Sequence, residues 1–197
     1  MKTALALLLL IAGAGSAPSA HAYALEGPAW TNGETSFSYV IPGAPNNVYT
    51  AAFKQAMADW TSVTPFIYVP VNRSSNPCNF SGPNGADFGT TSCGQAFGST
   101  TLAATMYNFT SGKRFIHVGT VFNSNKPFNV YSGRLLPRVY DFRRVAVHEL
   151  GHGLGMAHET KPNIPAIMEP IIGNIEKPTA DDIAGVKYLY SAYLKRK

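Results

Sequence analysis

The chain has few of the features that mark several common protein classes. It contains only two cysteines in 197 residues, and charged residues make up 14% of it. Beyond the N-terminal leader no apolar run is long enough to span a bilayer, so we expect no membrane anchor. No patch interleaves basic and aromatic residues, so we expect no nucleic-acid partner. The basic residues 195–197 are expected to form a solvated end rather than a contact with an anionic surface.

The N-terminal residues have the pattern of a secretory leader. Lys2 precedes a nearly unbroken apolar run, and Ala20-His21-Ala22 supplies a small-x-small cleavage site. We therefore predict a signal peptide over residues 1–22 and a mature protein that begins at Tyr23. Residues 23–197 have the length of one ordinary domain. The protein is expected to be secreted, either outside the cell or into the periplasm of a Gram-negative organism.

The two cysteines are predicted to form a disulfide bond. Cys78 and Cys93 lie in a stretch rich in glycine, asparagine, serine and proline, and an exported protein reaches an oxidising compartment. A disulfide is therefore favoured over free thiols or metal ligands. Closing a loop of this size contributes about 3 kcal/mol on the chain-entropy account. Residues 72–100 show no periodicity and are predicted to form a long loop.

Hydrophobic periodicity in the first half predicts a strand–helix–strand unit. Apolar residues alternate with smaller or polar ones over 35–41, which predicts a strand. An apolar stripe over 48–63 predicts a helix, and its members are Tyr49, Phe53, Met57 and Trp60. Residues 66–71 are rich in aromatic and β-branched types and predict a second strand. A parallel pairing of these two strands is expected, which places the chain among mixed α/β folds.

The second half is predicted to contain a hairpin and two helices. Residues 101–109 and 114–122 read as two strands that a short turn can join into a hairpin. Asp141 is placed to cap a helix over 142–154. Thr179 and Asp182 fit a capping box that starts a C-terminal helix.

One stretch carries the chemistry of the chain. In a helix, His148 and His152 lie four residues apart and project from one face, with Glu149 beside them. Gly155 falls where the helix would stop, and the reversal it permits can bring His158 back as a third ligand. Three histidines leave one position of a tetrahedral zinc open, which is the pattern of catalytic rather than structural sites.

This extended pattern resembles the metzincin signature, which a later methionine turn completes. Residues 166–170, Ala-Ile-Met-Glu-Pro, supply that methionine as Met168. Within the metzincins the chain is most similar to the matrixins over most of its mature length. The similar segments are the Trp30 strand, the Phe53–Trp60 helix, Leu102–Thr105 and Thr179–Tyr190.

The resemblance implies the fold and the roles of the site residues. It implies an α/β (α+β) domain of the metzincin, or zincin-like, type: a twisted mixed sheet with an active-site helix, a Met-turn and a C-terminal helix. His148, His152 and His158 would bind one catalytic Zn²⁺, and Glu149 would act as the general base. Met168 would form a floor beneath the ligands without binding the metal.

The implied function is zinc-dependent endopeptidase activity in which Glu149 activates the attacking water. A protein or peptide substrate would lie extended along an edge strand at Leu102–Met106. The protein is expected to be a monomer. Calcium binding is compatible with the sequence, but no motif indicates it. The rival hypothesis is a catalytically silent, zinc-stabilised binding module on the same scaffold, although the intact Glu149 argues against it. A narrowly specific processing protease is a second alternative.

The chain departs from the matrixin pattern in three ways. Glu159 follows the third histidine, as in astacins, but Pro170 replaces the astacin tyrosine, so an astacin-type fifth ligand is missing. His117 is the only histidine of the mature chain outside the triad, so no histidine-rich second zinc site is expected. We predict that His117 is an ordinary hydrogen-bonded strand residue. Fewer than ten residues separate Tyr23 from Trp30, so we expect no pro-domain between them.

Other prominent residues have plainer interpretations. Trp30 and Trp60 are predicted to be core residues rather than recognition residues. Asp181 and Asp182 are predicted to cap their helix, and the matrixin resemblance suggests that one of them also holds the mature N-terminus.

Overall fold

The computed structural model describes residues 23–192. The predicted signal peptide and the basic residues 195–197 therefore lie outside the described residues. Twelve elements follow one another along the chain: β1 (Glu34–Ser38), α1 (Asn47–Val63), β2 (Ile67–Val71), β3 (Gly85–Gly89), β4 (Thr91–Ser92), β5 (Gln95–Ala96), β6 (Ala103–Phe109), β7 (Phe115–Asn123), β8 (Phe128–Asn129), β9 (Tyr140–Asp141), α2 (Phe142–Gly153) and α3 (Ala180–Leu189). Within residues 23–192, no helix is both long and apolar enough to cross a membrane.

The longer strands form a twisted mixed sheet in the order β2-β1-β3-β7-β6. The pairs β1–β2 and β3–β7 are parallel, as expected for β1 and β2, and β6 runs antiparallel to β7 as the predicted hairpin. A parallel bridge between Phe37 and Asn84 joins the two parts. There the Ser38 N–H donates to the Asn84 carbonyl at 3.0 Å. The Asn84 side chain also bonds Thr35 and the Val118 N–H, so it ties β1 to β7.

The helices pack on this sheet through the predicted apolar stripe. Phe53, Met57 and Trp60 of α1 are buried, and the Trp60 indole N–H donates to the Val147 carbonyl of α2 at 2.8 Å. Trp30 is half-buried against the same core, where its indole N–H donates to the Gly153 carbonyl at 2.9 Å. The mixed α/β architecture predicted from the sequence is confirmed.

The prediction that residues 72–100 form a long loop is wrong for residues 85–96, which contain β3, β4 and β5, and β4 pairs with β5 in a short antiparallel ribbon. Residues 85–89 form β3, which pairs with β7 in parallel over its whole length. Its sequence, Gly-Ala-Asp-Phe-Gly, begins and ends in glycine and has an aspartate at its centre, three residues that are depleted in strands, so local propensity opposes a strand there. The backbone hydrogen bonds to β7 determine this strand.

Outside these strands, covalent and polar contacts hold the 72–100 segment. The expected disulfide joins Cys78 and Cys93, with an S–S distance of 2.02 Å. His117 of β7 is fully buried, and its two ring nitrogens each lie 3.0 Å from a carbonyl oxygen, one of Pro77 and one of Gly82. His117 is thus hydrogen-bonded, as predicted. The segment also approaches β7 very closely, since a Cβ on Gly119 would lie 2.0 Å from the Pro77 oxygen.

Candidate metal centre

Helix α2 positions the first two histidines. Asp141 caps it, because its carboxylate accepts hydrogen bonds from the N–H groups of Arg143 and Arg144. The helix buries the side that carries Val147 and Leu150. His148 and His152 follow one another on an adjacent face, one turn apart.

The chain reverses directly after α2 and returns with the third histidine. Gly155 has φ +98°, a left-handed conformation that glycine adopts at low cost. The Met156 N–H donates back to the Gly151 carbonyl at 3.1 Å, which closes the helix end. A Cβ on Gly155 would lie 2.4 Å from the Pro28 oxygen, so a side chain there has no space. This turn brings His158 to face the helix.

The three imidazoles converge on one point. The His148 Nε2 lies 3.1 Å from the His158 Nε2, and the His152 Nε2 lies 3.2 Å from both of them. Zinc–nitrogen bonds of about 2.05 Å in a tetrahedral arrangement would separate the nitrogens by about 3.3 Å. The triad therefore has the dimensions of a zinc site. Among the described residues it is the one group of histidines and acids close enough to hold an ion.

Contacts of the Nδ1 atoms with backbone carbonyl oxygens orient two of the imidazoles for metal binding. The His148 Nδ1 lies 2.8 Å from the Ile167 carbonyl oxygen, and the His152 Nδ1 lies 2.9 Å from that of Met156. A carbonyl oxygen only accepts, so the ring proton belongs on Nδ1 and the Nε2 lone pair faces the metal. Burial, reinforced by the charge of His152, lowers the pKa of His148 to about 3 and also lowers the pKa of His158. Both rings are accordingly in the neutral, ligating form at neutral pH.

Met168 packs against the helix that carries two of the histidines, in a turn that α3 supports. Its side chain is 1% exposed, and a Cβ on Gly151 of α2 would lie 2.3 Å from its sulfur. The Asp182 carboxylate accepts hydrogen bonds from the Ile167 and Met168 N–H groups, at 2.8 and 3.3 Å. Asp182 also accepts from the Thr179 N–H, as the predicted capping role requires. One buried carboxylate thus joins the helix start to the methionine turn.

Glu149 lies in the wall of the site, 5% exposed. Burial raises the pKa of its carboxyl group, while the charge of His152 and a hydrogen bond from Thr105 oppose this shift. A buried carboxylate with a raised pKa next to a metal site has the properties of a general base.

Comparison with known sequences agrees with this geometry. The sequence model of the family described as Matrixin matches residues 29–191. The chain belongs to the matrixin family. The implied metzincin fold is thereby confirmed, and membership supports a zinc metalloprotease.

Individual matrixin relatives are distant or similar only in part. Metalloendoproteinase 1 of Glycine max is 25% identical over 182 residues, which cover 83% of this chain and 53% of that protein. Matrix metalloproteinase-16 of Homo sapiens is 28% identical over 180 residues, covering 85% of this chain and 28% of that protein. Matrilysin of Homo sapiens is 46% identical over 54 residues, covering 25% and 20%. This chain spans about half or less of the length of these relatives.

A cavity of about 490 Å³ opens beside the matrixin triad. It is mostly apolar, and its wall includes Leu102, Ala103, Val145, Ile167, Ile172 and Ile175. Arg144 also lies in this wall and is fully buried. Its guanidinium donates to the carbonyls of Gly173 and Gly133 at 2.9 and 2.7 Å, and it pairs with Glu176 at 3.1 Å. Arg144 thus ties the matrixin helix to the far wall of the cavity, a role that was not predicted from the sequence.

The predicted edge strand lies next to the matrixin helix. β6 (Ala103–Phe109) is the last strand of the sheet, and within the described part of the chain it pairs only with β7. Leu102 lies immediately before it, so residues 102–106 fall at the edge as expected. The free edge runs past the opening of the cavity, which residues Thr100–Ala103 help to line.

A second residue that sequence reasoning missed is Glu26. Its carboxylate accepts a hydrogen bond from the Tyr107 hydroxyl at 3.0 Å and lies 3.7 Å from the His152 Nδ1. It comes from the segment before β1, and no pattern in that segment indicates a link to the triad. Glu159, in contrast, is buried and accepts from the Lys161 N–H at 2.7 Å, outside the ligand set.

Proposed function

We propose that this matrixin is a secreted zinc-dependent endopeptidase. The observation that carries the proposal is the convergence of three histidine Nε2 atoms within 3.2 Å of one another. A buried glutamate, an apolar cavity and a free strand edge border that point. The glutamate can serve as the base in peptide hydrolysis, and the cavity and the strand edge can bind an extended substrate.

The chain's own residues perform most of the reaction. His148, His152 and His158 would hold the zinc, which when bound would supply the Lewis acidity that peptide hydrolysis needs. The Glu149 carboxylate accepts the proton of the attacking water and then delivers it to the leaving nitrogen. No residue forms a covalent bond to the substrate in this scheme.

The substrate is a protein or peptide in an extended conformation. Its backbone pairs with the free edge of β6, which supplies hydrogen bonds that do not depend on side chains. The cavity beside the triad receives one side chain next to the scissile bond. Its apolar wall favours an aliphatic or aromatic residue there.

A substitution at Glu149 tests the proposal. Glu149→Gln is expected to lower kcat by about 10²- to 10⁴-fold, because the general base is lost, while one zinc per chain remains bound. Peptide-library profiling with and without chelator measures the activity, and elemental analysis measures the zinc. Glu159→Gln is the matched control, since it neutralises a buried carboxylate one residue from His158 but outside the ligand set.

Several results would contradict this function. Wild-type protein that binds zinc but cleaves neither casein, gelatin nor the library would support the silent binding module instead. Activity that Glu149→Gln retains would refute the assigned base. Secretion is tested separately, by N-terminal sequencing of exported protein, which we expect to begin at Tyr23.

A further inference from the structure

A chain of hydroxyl groups leads from the centre of the sheet to Glu149. Thr105 of β6 and Thr120 of β7 are register partners, and their Oγ1 atoms lie 2.9 Å apart. The Thr105 Oγ1 in turn lies 2.7 Å from the Glu149 Oε2. Thr120 is fully buried, and Thr105 is partly buried at the edge of the site.

The direction of these hydrogen bonds follows from the number of protons. The ionised Glu149 carboxylate only accepts, so the single hydroxyl proton of Thr105 points to it. The Glu149 backbone oxygen is the other acceptor in reach, but it is uncharged and lies farther away, at 3.2 Å. The Thr105 oxygen then accepts the proton of Thr120. The chain therefore runs from Thr120 through Thr105 to Glu149.

We propose that Thr105 is a positioning residue for Glu149 and that Thr120 orients Thr105. The inference rests on the proposed endopeptidase function. Within the described residues, Thr105 supplies the only hydrogen bond to the Glu149 carboxylate. It occupies Oε2 and restricts the rotation of the carboxylate, so Oε1 is left to accept the proton of water.

The position of Thr105 also links the base to the substrate. It lies in the middle of β6, the strand along which the substrate backbone is proposed to pair. A displacement of β6 therefore moves the donor to Glu149 as well. One strand thus sets the distance between the substrate and the base, and a misplacement of about 1 Å at such a site reduces rates strongly.

Three substitutions separate a positioning role from a packing role. Thr105→Val keeps the shape but removes the donor, and we expect kcat to fall about 10- to 100-fold, the equivalent of one hydrogen bond to a charged group. KM and zinc content should change less than about threefold. Thr105→Ser keeps the hydroxyl and should restore kcat to within about threefold of wild type. Thr110→Val, which removes an exposed hydroxyl from the turn of the same hairpin, is the control.

A second measurement does not depend on catalysis. In crystal structures of the metal-free proteins, Glu149 should have one conformer in wild type and in Thr105→Ser, and several in Thr105→Val. Thr120→Val should give a smaller loss of kcat than Thr105→Val, because the direct donor to Glu149 remains.

The outcomes distinguish this proposal from the function on which it rests. An active wild type with an unchanged kcat in Thr105→Val refutes the positioning role alone. Equal losses in the valine and serine variants, or a loss that follows zinc content, indicate a structural role and refute it as well. A zinc-loaded wild type without any peptidase activity overturns both proposals.

Discussion

Replacing Gly151 by alanine would introduce a methyl group between α2 and the methionine turn. A Cβ built there lies 2.3 Å from the Met168 sulfur and 3.0 Å from Cζ2 of the Trp60 ring. Non-bonded heavy atoms prefer separations of about 3.5–4.0 Å, so Met168 must shift by more than about 1 Å. Both neighbours are buried, with Met168 1% and Trp60 0% exposed. Neither can move without displacing the core around it.

The expected loss of stability is the difference between two opposing effects. Alanine favours a helix interior over glycine by about 1 kcal/mol. Overpacking a dense core costs about 1–3 kcal/mol. The difference is a net loss of about 0–2 kcal/mol, and we expect a value in the upper half of that range, because the sulfur, the terminal methyl group of Met168 and the Trp60 ring are all in close contact with the new Cβ. The Ile167 carbonyl, next to Met168, accepts from the His148 ring, so zinc affinity should also fall about 10- to 100-fold.

Urea unfolding of the metal-free protein and zinc competition against a chelating dye measure the two effects. Gly153→Ala in the same helix is the matched control. Its Cβ would lie 3.0 Å from the Tyr68 hydroxyl and 3.2 Å from a Val118 methyl group, away from Met168. It should bind zinc within about threefold of wild type. The reasoning is refuted if Gly151→Ala is as stable as wild type with unchanged zinc affinity, or if the control loses the same affinity.

Three further measurements test the surroundings of the site. Arg144→Met should lower the free energy of unfolding by about 3 kcal/mol in urea titrations and broaden the cleavage profile, because it removes a buried cation that joins two walls of the cavity. An unchanged cleavage profile would contradict the role of Arg144 in the cavity. Replacing Cys78 and Cys93 by serine should cost about 3 kcal/mol by the same titration, since the cross-link spans a sequence separation of 15, and a loss below about 1 kcal/mol would contradict the entropic account. Stability of the metal-free protein should fall as pH decreases below about 6.5, because burial lowers the pKa of His148 to about 3 and the unfolded chain then binds more protons. The difference between the urea midpoints at pH 7.5 and pH 5 measures this loss of stability. The difference should be smaller in His148→Asn than in wild type, and an equal difference would mean that another group causes the loss.

Elements with a strong local signal could be predicted from the sequence, and those that depend on neighbours could not. The α1 stripe and the Asp141 cap are local, so α1 and α2 lie within one residue of the predicted ranges. The strand β3 has two glycines and an aspartate among its five residues. Its conformation depends on hydrogen bonds to β7, whose residues lie 34 positions later in the chain than their β3 partners. The residues around β3 alone therefore do not predict that this segment is a strand.

The candidate site shows the same division. The triad, Glu149 and Met168 lie within one continuous stretch whose spacing is fixed by a helix and a turn, so a pattern can identify them. Thr105 contacts Glu149 across 44 positions, and nothing in its own sequence neighbourhood indicates a hydroxyl donor. Arg144 has a local signal as a helix residue, but its partners come from two distant loops. Long-range packing therefore determines how the site is adjusted, whereas local spacing determines which residues form it.

The third ligand shows how far this dependence extends. His158 follows the turn at Gly155, and that turn is paired with the first described residues of the chain. The Glu26 N–H donates to the Gly155 carbonyl and the Ala157 N–H donates to the Ala24 carbonyl, both at 2.9 Å. Loops without such pairing are mobile, and a mobile loop holds a ligand atom poorly. Residues 24–26, directly after the predicted cleavage site, therefore belong to the support of the metal site, although they contribute no ligand to it.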